Sequence, residues 1–229
     1  MAEPHYDPAR CTFDHLILGA PSLDSGLAWC KERVASALTP GGSHPGRGTC
    51  NALLSLADNS YLELLAPDPE QPDQSSARAV LEQLREPAFT WWCLRTGDLE
   101  GVRRDLVDAG VACGPIIDTG REAPGGQMLR WRLFFTLDEL FGARLPFFID
   151  WGETPHPSAI EALSGNVKTI SLAGPGSDVL RQLFEMIGYE DERLAFGEAA
   201  GPSMTATLTL GNREIVLHSA GNSALPPLR

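Results

Sequence analysis

No stretch of this 229-residue chain reaches the roughly 18 consecutive apolar residues of a membrane-spanning helix, so no span is predicted. Positive charge is scarce: 18 Lys and Arg stand against 30 Asp and Glu, a net charge of −12. A surface of that sign repels phosphate backbones and anionic lipid, which argues against nucleic-acid and membrane partners. The opening MAEPHYDPARCTFDH has neither a basic start nor an apolar run, so no secretory leader is expected. Cysteines are few and without paired spacing: Cys11, Cys30, Cys50, Cys93 and Cys113. An odd number so spread argues against a disulfide framework or a structural zinc cluster, and points to reduced, mostly buried thiols in a cytoplasm. The glycine-rich GGSHPGRG lacks the lysine and following Ser or Thr of a phosphate loop, and neither GxSxG nor HExxH occurs.

What the chain does have is repetition. FDHLILGAPSLDSGLAWCKERVASAL reads as a strand, a turn capped by Ser22 or Asp24, and a helix with Leu27, Cys30, Val34 and Leu38 on one face. TCNALLSL (49–56) and SYLELL (60–65) follow as strands joined by the turn ADN. FTWWCLRTGDLEGVRRDLVDAG repeats the opening, with Asp98 as cap and Gly110 at the helix end. Strand-like stretches come after it at 114–118, 129–136 and 145–151. VKTISLAGPGSDVLRQLFEMIG repeats it again, capped by Ser177 or Asp178, with strands near 193–198, 203–210 and 213–218. The chain therefore divides into three βαβββ modules, 11–67, 88–152 and 165–220. Linkers around a short helix from Ser75 to Leu84, and through GETPHPSAIEALSG, connect them.

In NSYLELLAP, Tyr61, Glu63 and Leu65 share one strand face, while Leu62, Leu64 and Ala66 share the other. The aliphatic face belongs against a helix, so Glu63 points the other way, into whatever the sheet encloses. A buried carboxylate needs a hydrogen-bond partner, an ion pair or a cation.

Paired βαβββ modules carrying SHPGRGTCNALLSLADNSYLELLAPD resemble the vicinal oxygen chelate superfamily, which includes glyoxalase I, extradiol dioxygenases and bleomycin-resistance proteins, and within it the glyoxalase-like domain branch. The resemblance covers about Phe13 to Trp151. It implies an α+β fold: two modules (11–152) curl into one cup-shaped mixed sheet, and the third, 165–220, is a structural or interface addition packed on it. It also implies that ligands come from the first and fourth strands of each module. Module one offers His15 and Glu63. Module two offers Trp91, where a histidine is frequent, and Asp150, where a glutamate is frequent. Module three offers Thr169 and Val216, which bind no metal.

His15, Glu63 and Asp150 would suit a divalent ion with open positions, Mn²⁺, Fe²⁺, Co²⁺, Ni²⁺ or Zn²⁺. Glu63 or Asp150 would then move a proton in an isomerase- or lyase-type reaction on a small oxygen-chelating substrate. Two alternatives stay open. His15 and Glu63 can form a metal-free pair in a sequestering, resistance-type cup. His44 can join His15 and Glu63 to give the two imidazoles and one carboxylate of an extradiol-type dioxygenase. His44, Asn51 and Trp91 are candidate substrate contacts. So are Arg130 and Arg132, which alternate with Leu129, Trp131 and Leu133 and suit an anionic substrate if the apolar side packs on helices. The family closes its cup within one chain or across a homodimer.

Overall fold

The computed structural model describes residues 10–34, 37–71, 75–122, 126, 128–159 and 165–220. Residues 1–9, read above for a leader, and parts of both linkers (72–74 and 160–164) lie outside the described residues.

The first module runs β1 (Thr12–Gly19), α1 (Leu23–Arg33), β2 (Thr39–His44), β3 (Thr49–Leu56) and β4 (Ser60–Pro67). A short helix, α2 (Ser76–Leu81), leads to the second: β5 (Ala88–Arg95), α3 (Leu99–Asp108), β6 (Ile117–Glu122), β7 (Met128–Phe134) and β8 (Phe147–Asp150). Ser22 caps α1 by accepting from the Ser25 amide, and Asp98 caps α3 by accepting from Gly101. Between the paired Leu56 and Ser60, the β3–β4 turn holds Asp58 and Asn59 at φ +59° and +52°. β2 covers part of what reads in sequence as a glycine-rich loop. Pro40 and a register shift before Gly42 mark it as an irregular edge strand.

Eight strands form one curved sheet in the order β2-β3-β4-β1-β5-β8-β7-β6. In each half the first strand lies parallel to the fourth, β1 beside β4 and β5 beside β8. The halves meet where β1 and β5 run antiparallel, His15 opposite Cys93. The outer edges nearly close on each other: the Arg121 guanidinium of β6 donates to the Gly41 carbonyl of β2. The helices pack outside, with Gly26 of α1 so close to Leu64 of β4 that no Cβ fits between them. Among the described residues no helix is long and apolar enough to cross a membrane.

The third module holds β9 (Asn166–Ala173), α4 (Ser177–Met186), β10 (Leu194–Gly197), β11 (Ser203–Leu210) and β12 (Arg213–His218). Its sheet order is β10-β9-β11-β12, so its first strand lies beside its second and third, not its fourth. The module repeats the element order of the other two without their topology, and setting Val216 in register with Glu63 has no structural counterpart. Gly176 in a left-handed conformation precedes α4, while the Ser177 hydroxyl lies 2.7 and 2.8 Å from the Gly174 and Gly197 carbonyls, with one proton to share, instead of capping. The module packs behind the cup. Phe184 and Tyr189 stand 5.5 and 6.1 Å, centroid to centroid, from Trp92, which faces away from the concave side.

Candidate active site in the cup

A cleft of about 830 Å³, counting the space at its open mouth, occupies the concave face. Of the residues expected at the site, it brings together His15, Glu63, His44 and Asn51. His15 sits on the central strand β1, opposite Tyr61 in the parallel pairing with β4. That register stacks the two rings at 4.4 Å and 15°, while Phe147 of β8 meets the imidazole edge-on at 5.4 Å.

A register shift between Phe13 and His15 lets Asp14, the neighbour in sequence, serve the same imidazole. The Asp14 carboxylate lies 2.6 Å from His15 Nδ1 and is wholly buried. Its other oxygen accepts from Trp151 Nε1 at 3.1 Å and lies 3.0 Å from His156 Nε2. With Nδ1 engaged, His15 turns Nε2 toward Glu63 Oε2, 3.4 Å away. The other Glu63 oxygen accepts from Asn51 Nδ2 at 2.6 Å and lies 3.9 Å from His44 Nε2. His44 Nδ1 is in turn held by the Thr49 hydroxyl at 3.0 Å. Gly41 makes room for Asn51: a Cβ there would overlap the amide oxygen, which has no hydrogen-bond partner of its own.

Burial alone would lower the His15 pKa, but the hydrogen bonds and charges of Asp14 and Glu63 outweigh it and hold it up at about 9. Burial would raise that of Glu63, yet His15, His44 and Asn51 bring it down to about 2. Asp14 is held low, against its burial, by His15 and His156. Burial lowers His44. Around Glu63, then, stand two imidazoles whose Nδ1 atoms are tied back and whose Nε2 atoms face the carboxylate. The donor types suit a divalent ion, though the His15, His44 and Glu63 donors do not all lie within 4.8 Å of one another, and Asp14 stands as the outer partner that commonly orients a ligating histidine. Among the described residues, the one trio of His, Cys, Asp and Glu with donors all within 4.8 Å is Asp14–His15–Cys93. Asp14 is already spent there on His15, His156 and Trp151, and burial holds the Cys93 thiol well above its ordinary pKa, so that trio is a poor ion site.

The second module does not supply what was expected. Glu63 pairs with Ile17 two residues beyond the His15–Tyr61 pair; by the same count in β5 and β8, from Cys93–Phe147 to Arg95–Ile149, its counterpart is Ile149. Ile149 and Phe147 line the cleft. Asp150 points outward and accepts from Arg132 at 2.9 Å. The expectation that it joins His15 and Glu63 is a one-residue register error, which turns a side chain to the other face. Trp91 is buried but does not line the cleft, and the position matching His15 is Cys93. Arg130 and Arg132 are corrected as well. Trp131 and Leu133 face the cavity, while Arg130 is exposed and Arg132 reaches Glu100 of α3 at 2.7 Å on the outer side. The cup's interior, not the helix side, takes Trp131 and Leu133 of β7, while Phe134 stacks on Phe148 on the other face.

The arginines that do line the cleft, Arg47 and Arg121, were missed, as were Tyr61 and Asp14. Alternation along IDTGRE, with Thr119 and Arg121 on one face, was the available signal for the second arginine.

A cup of two paired βαβββ modules with a histidine on its first strand and a glutamate on its fourth defines a glyoxalase-type protein. The chain belongs to the glyoxalase-like domain family, whose model matches residues 13–187. A hypothetical protein from Staphylococcus aureus superposes with a TM-score of 0.61 over 94% of this chain and 88% of its own, at 20% identity. Methylmalonyl-CoA epimerase from Mycobacterium tuberculosis gives 0.45, with 22% identity, over 64% of this chain and 91% of its own. The Streptomyces coelicolor epimerase, in complex with 2-nitronate-propionyl-CoA, gives 0.41 and 16%, over 60% and 93%. No curated protein matches the chain.

Proposed function

We propose that the cup is the active site of a divalent-metal-dependent enzyme acting on a small substrate through two neighbouring oxygens, with His15, His44 and Glu63 holding the ion. The reading rests on one observation: both imidazoles turn Nε2 to the same carboxylate while Asp14 and Thr49 hold their Nδ1 atoms. A bound ion there supplies Lewis-acid polarisation of the chelated oxygens, for proton transfer of the isomerase or lyase kind or, with iron, for oxygenation. The chain's own residues do the rest. Tyr61 and Phe147 fix the plane of His15, Asn51 fixes Glu63, and the apolar walls of β7 and β8 keep water from the substrate body.

The test is titration of metal-free protein with Mn²⁺, Fe²⁺, Co²⁺, Ni²⁺ and Zn²⁺. One equivalent of at least one ion should bind and raise the melting temperature. Glu63→Gln should weaken that binding by about 100-fold, the upper end of what even an outer partner contributes. Undiminished affinity in Glu63→Gln sinks the ligand assignment. Oxygen uptake with catechols in the presence of Fe²⁺ separates ring cleavage from proton transfer.

A second reading has its own support. His15 between Asp14 and Glu63 is satisfied as an imidazolium with no ion present, which suits a metal-free binding cup. Failure of every ion to bind, with small molecules still stabilising the protein, selects it.

A further inference from the structure

Two guanidinium groups line the cleft with no carboxylate of the described residues in ion-pair contact; Glu63 acts on Arg121 only across the cavity. Arg121 of β6 is 6% exposed, and its hydrogen bond goes to the Gly41 carbonyl. Arg47, half-buried, lies over the Phe135 ring at 5.5 Å. Among the described residues neither takes part in an ion pair. Elsewhere several arginines of this chain find acids: Arg10 with Asp98 and Asp105, Arg78 with Glu82, Arg132 with Glu100 and Asp150. Arg144, buried without an ion pair among the described residues, is instead closed in by the Leu140, Phe141 and Pro175 carbonyls. With 30 acidic residues and a net charge of −12, partners are not in short supply. Glu63, the carboxylate inside the cleft, is already engaged by Asn51 and His15. A buried guanidinium stays charged, and leaving it uncompensated costs several kcal/mol. Arg121 differs from Arg144 in lining an open cleft with one carbonyl partner, where a ligand can supply the counter-charge.

We infer that the ligand of this cup carries a carboxylate, received chiefly by Arg121 with Arg47 beside it, on an apolar body that lies against Trp131, Phe135 and Ile149. The inference rests on the reading of the cup as the ligand site, but not on its metal. A planar guanidinium fork matches a carboxylate in two parallel hydrogen bonds. The Glu63 charge in the same cavity disfavours a dianion such as a phosphate monoester.

The experiment uses the full chain stripped of metal with EDTA. Benzoate, phenylacetate and 3-phenylpropionate are compared with their neutral amides by thermal shift and calorimetry. The acids should bind and raise the melting temperature while the amides do not. Arg121→Gln should cut the affinity for the acids about tenfold or more, with Arg121→Lys intermediate. Equal response to acids and amides, including none to either, overturns the inference. So does an acid preference that survives in Arg121→Gln. If Arg121→Gln does not fold, Arg47→Gln decides: an unchanged acid preference overturns the inference, a reduced one supports it. Because no metal is present, a failed ion titration leaves this result standing, and a failed acid preference leaves the metal reading standing.

Discussion

Asp14 carries more of the site's polar order than any residue that faces the cleft. One buried carboxylate engages His15, His156 and Trp151. Asp14→Asn should lower stability by about 3 kcal/mol in urea denaturation, because it breaks a buried charged network on one side. Its role was not legible in the sequence. Strict alternation turns residue 14 away from residue 15, and only the shift in β1 pairing brings both to one place. Glu63 was legible, because its neighbours Leu62 and Leu64 are unambiguous helix-facing residues and their alternation fixes the glutamate inward. Asp150 lacks that clarity: Phe147, Phe148 and Ile149 are all apolar, so nothing in FFID tells which face is which. Asp150→Asn should cost under about 1 kcal/mol, as expected of a partly exposed pair with Arg132. It should leave ion binding unchanged in the titration above.

At the scale of elements, the strands and helices were readable because turn chemistry and periodicity agreed. The β3–β4 hairpin is the clearest case. Asp58 and Asn59 sit at positive φ, which Asp and Asn tolerate and a β-branched residue does not. Asp58→Val should therefore cost about 1–3 kcal/mol, measured by the same denaturation, and should weaken the β3–β4 register that sets Asn51 against Glu63. β2 was not readable as a strand, since Pro40, Gly41 and Gly42 speak for a loop. It is held in place by tertiary contacts, β3 on one side and the Arg121 clasp on the other.

For the whole molecule, the third module matters through its contact with the back of the cup. Phe184 is 2% exposed and packs on Trp92. Phe184→Ala should lower stability by about 3–5 kcal/mol, and one cooperative loss of tryptophan signal is expected if module and cup unfold together. Asp191 binds Arg193 and the Tyr189 hydroxyl within that module, and its pKa is held below the ordinary carboxylate value by these bonds, against its burial. Its contribution is therefore complete above the unfolded pKa and disappears as pH falls through the folded one. Asp191→Asn should flatten the acid limb of the stability curve below about pH 4, measured by denaturation at graded pH. The sequence conveyed the module's element order but not its strand order, since pairing in a sheet is decided by partners distant in the chain.

The two halves of the cup share a backbone plan but not a lining. One half presents His15, Glu63, His44 and Asn51; the other presents Phe147, Ile149, Leu133 and Trp131, with Thr119 and Arg121 at its edge strand β6. A near-symmetric container with so unequal a lining should act as an orientation filter on a ligand of the kind proposed. A ligand with one polar end has two ways to enter, related by the pseudo-twofold axis between β1 and β5. With its carboxylate on Arg121 the ligand's body meets apolar walls; turned the other way, the carboxylate would face Glu63 and lose that partner. One duplicated fold whose two linings differ would thereby select the ligand's direction of approach.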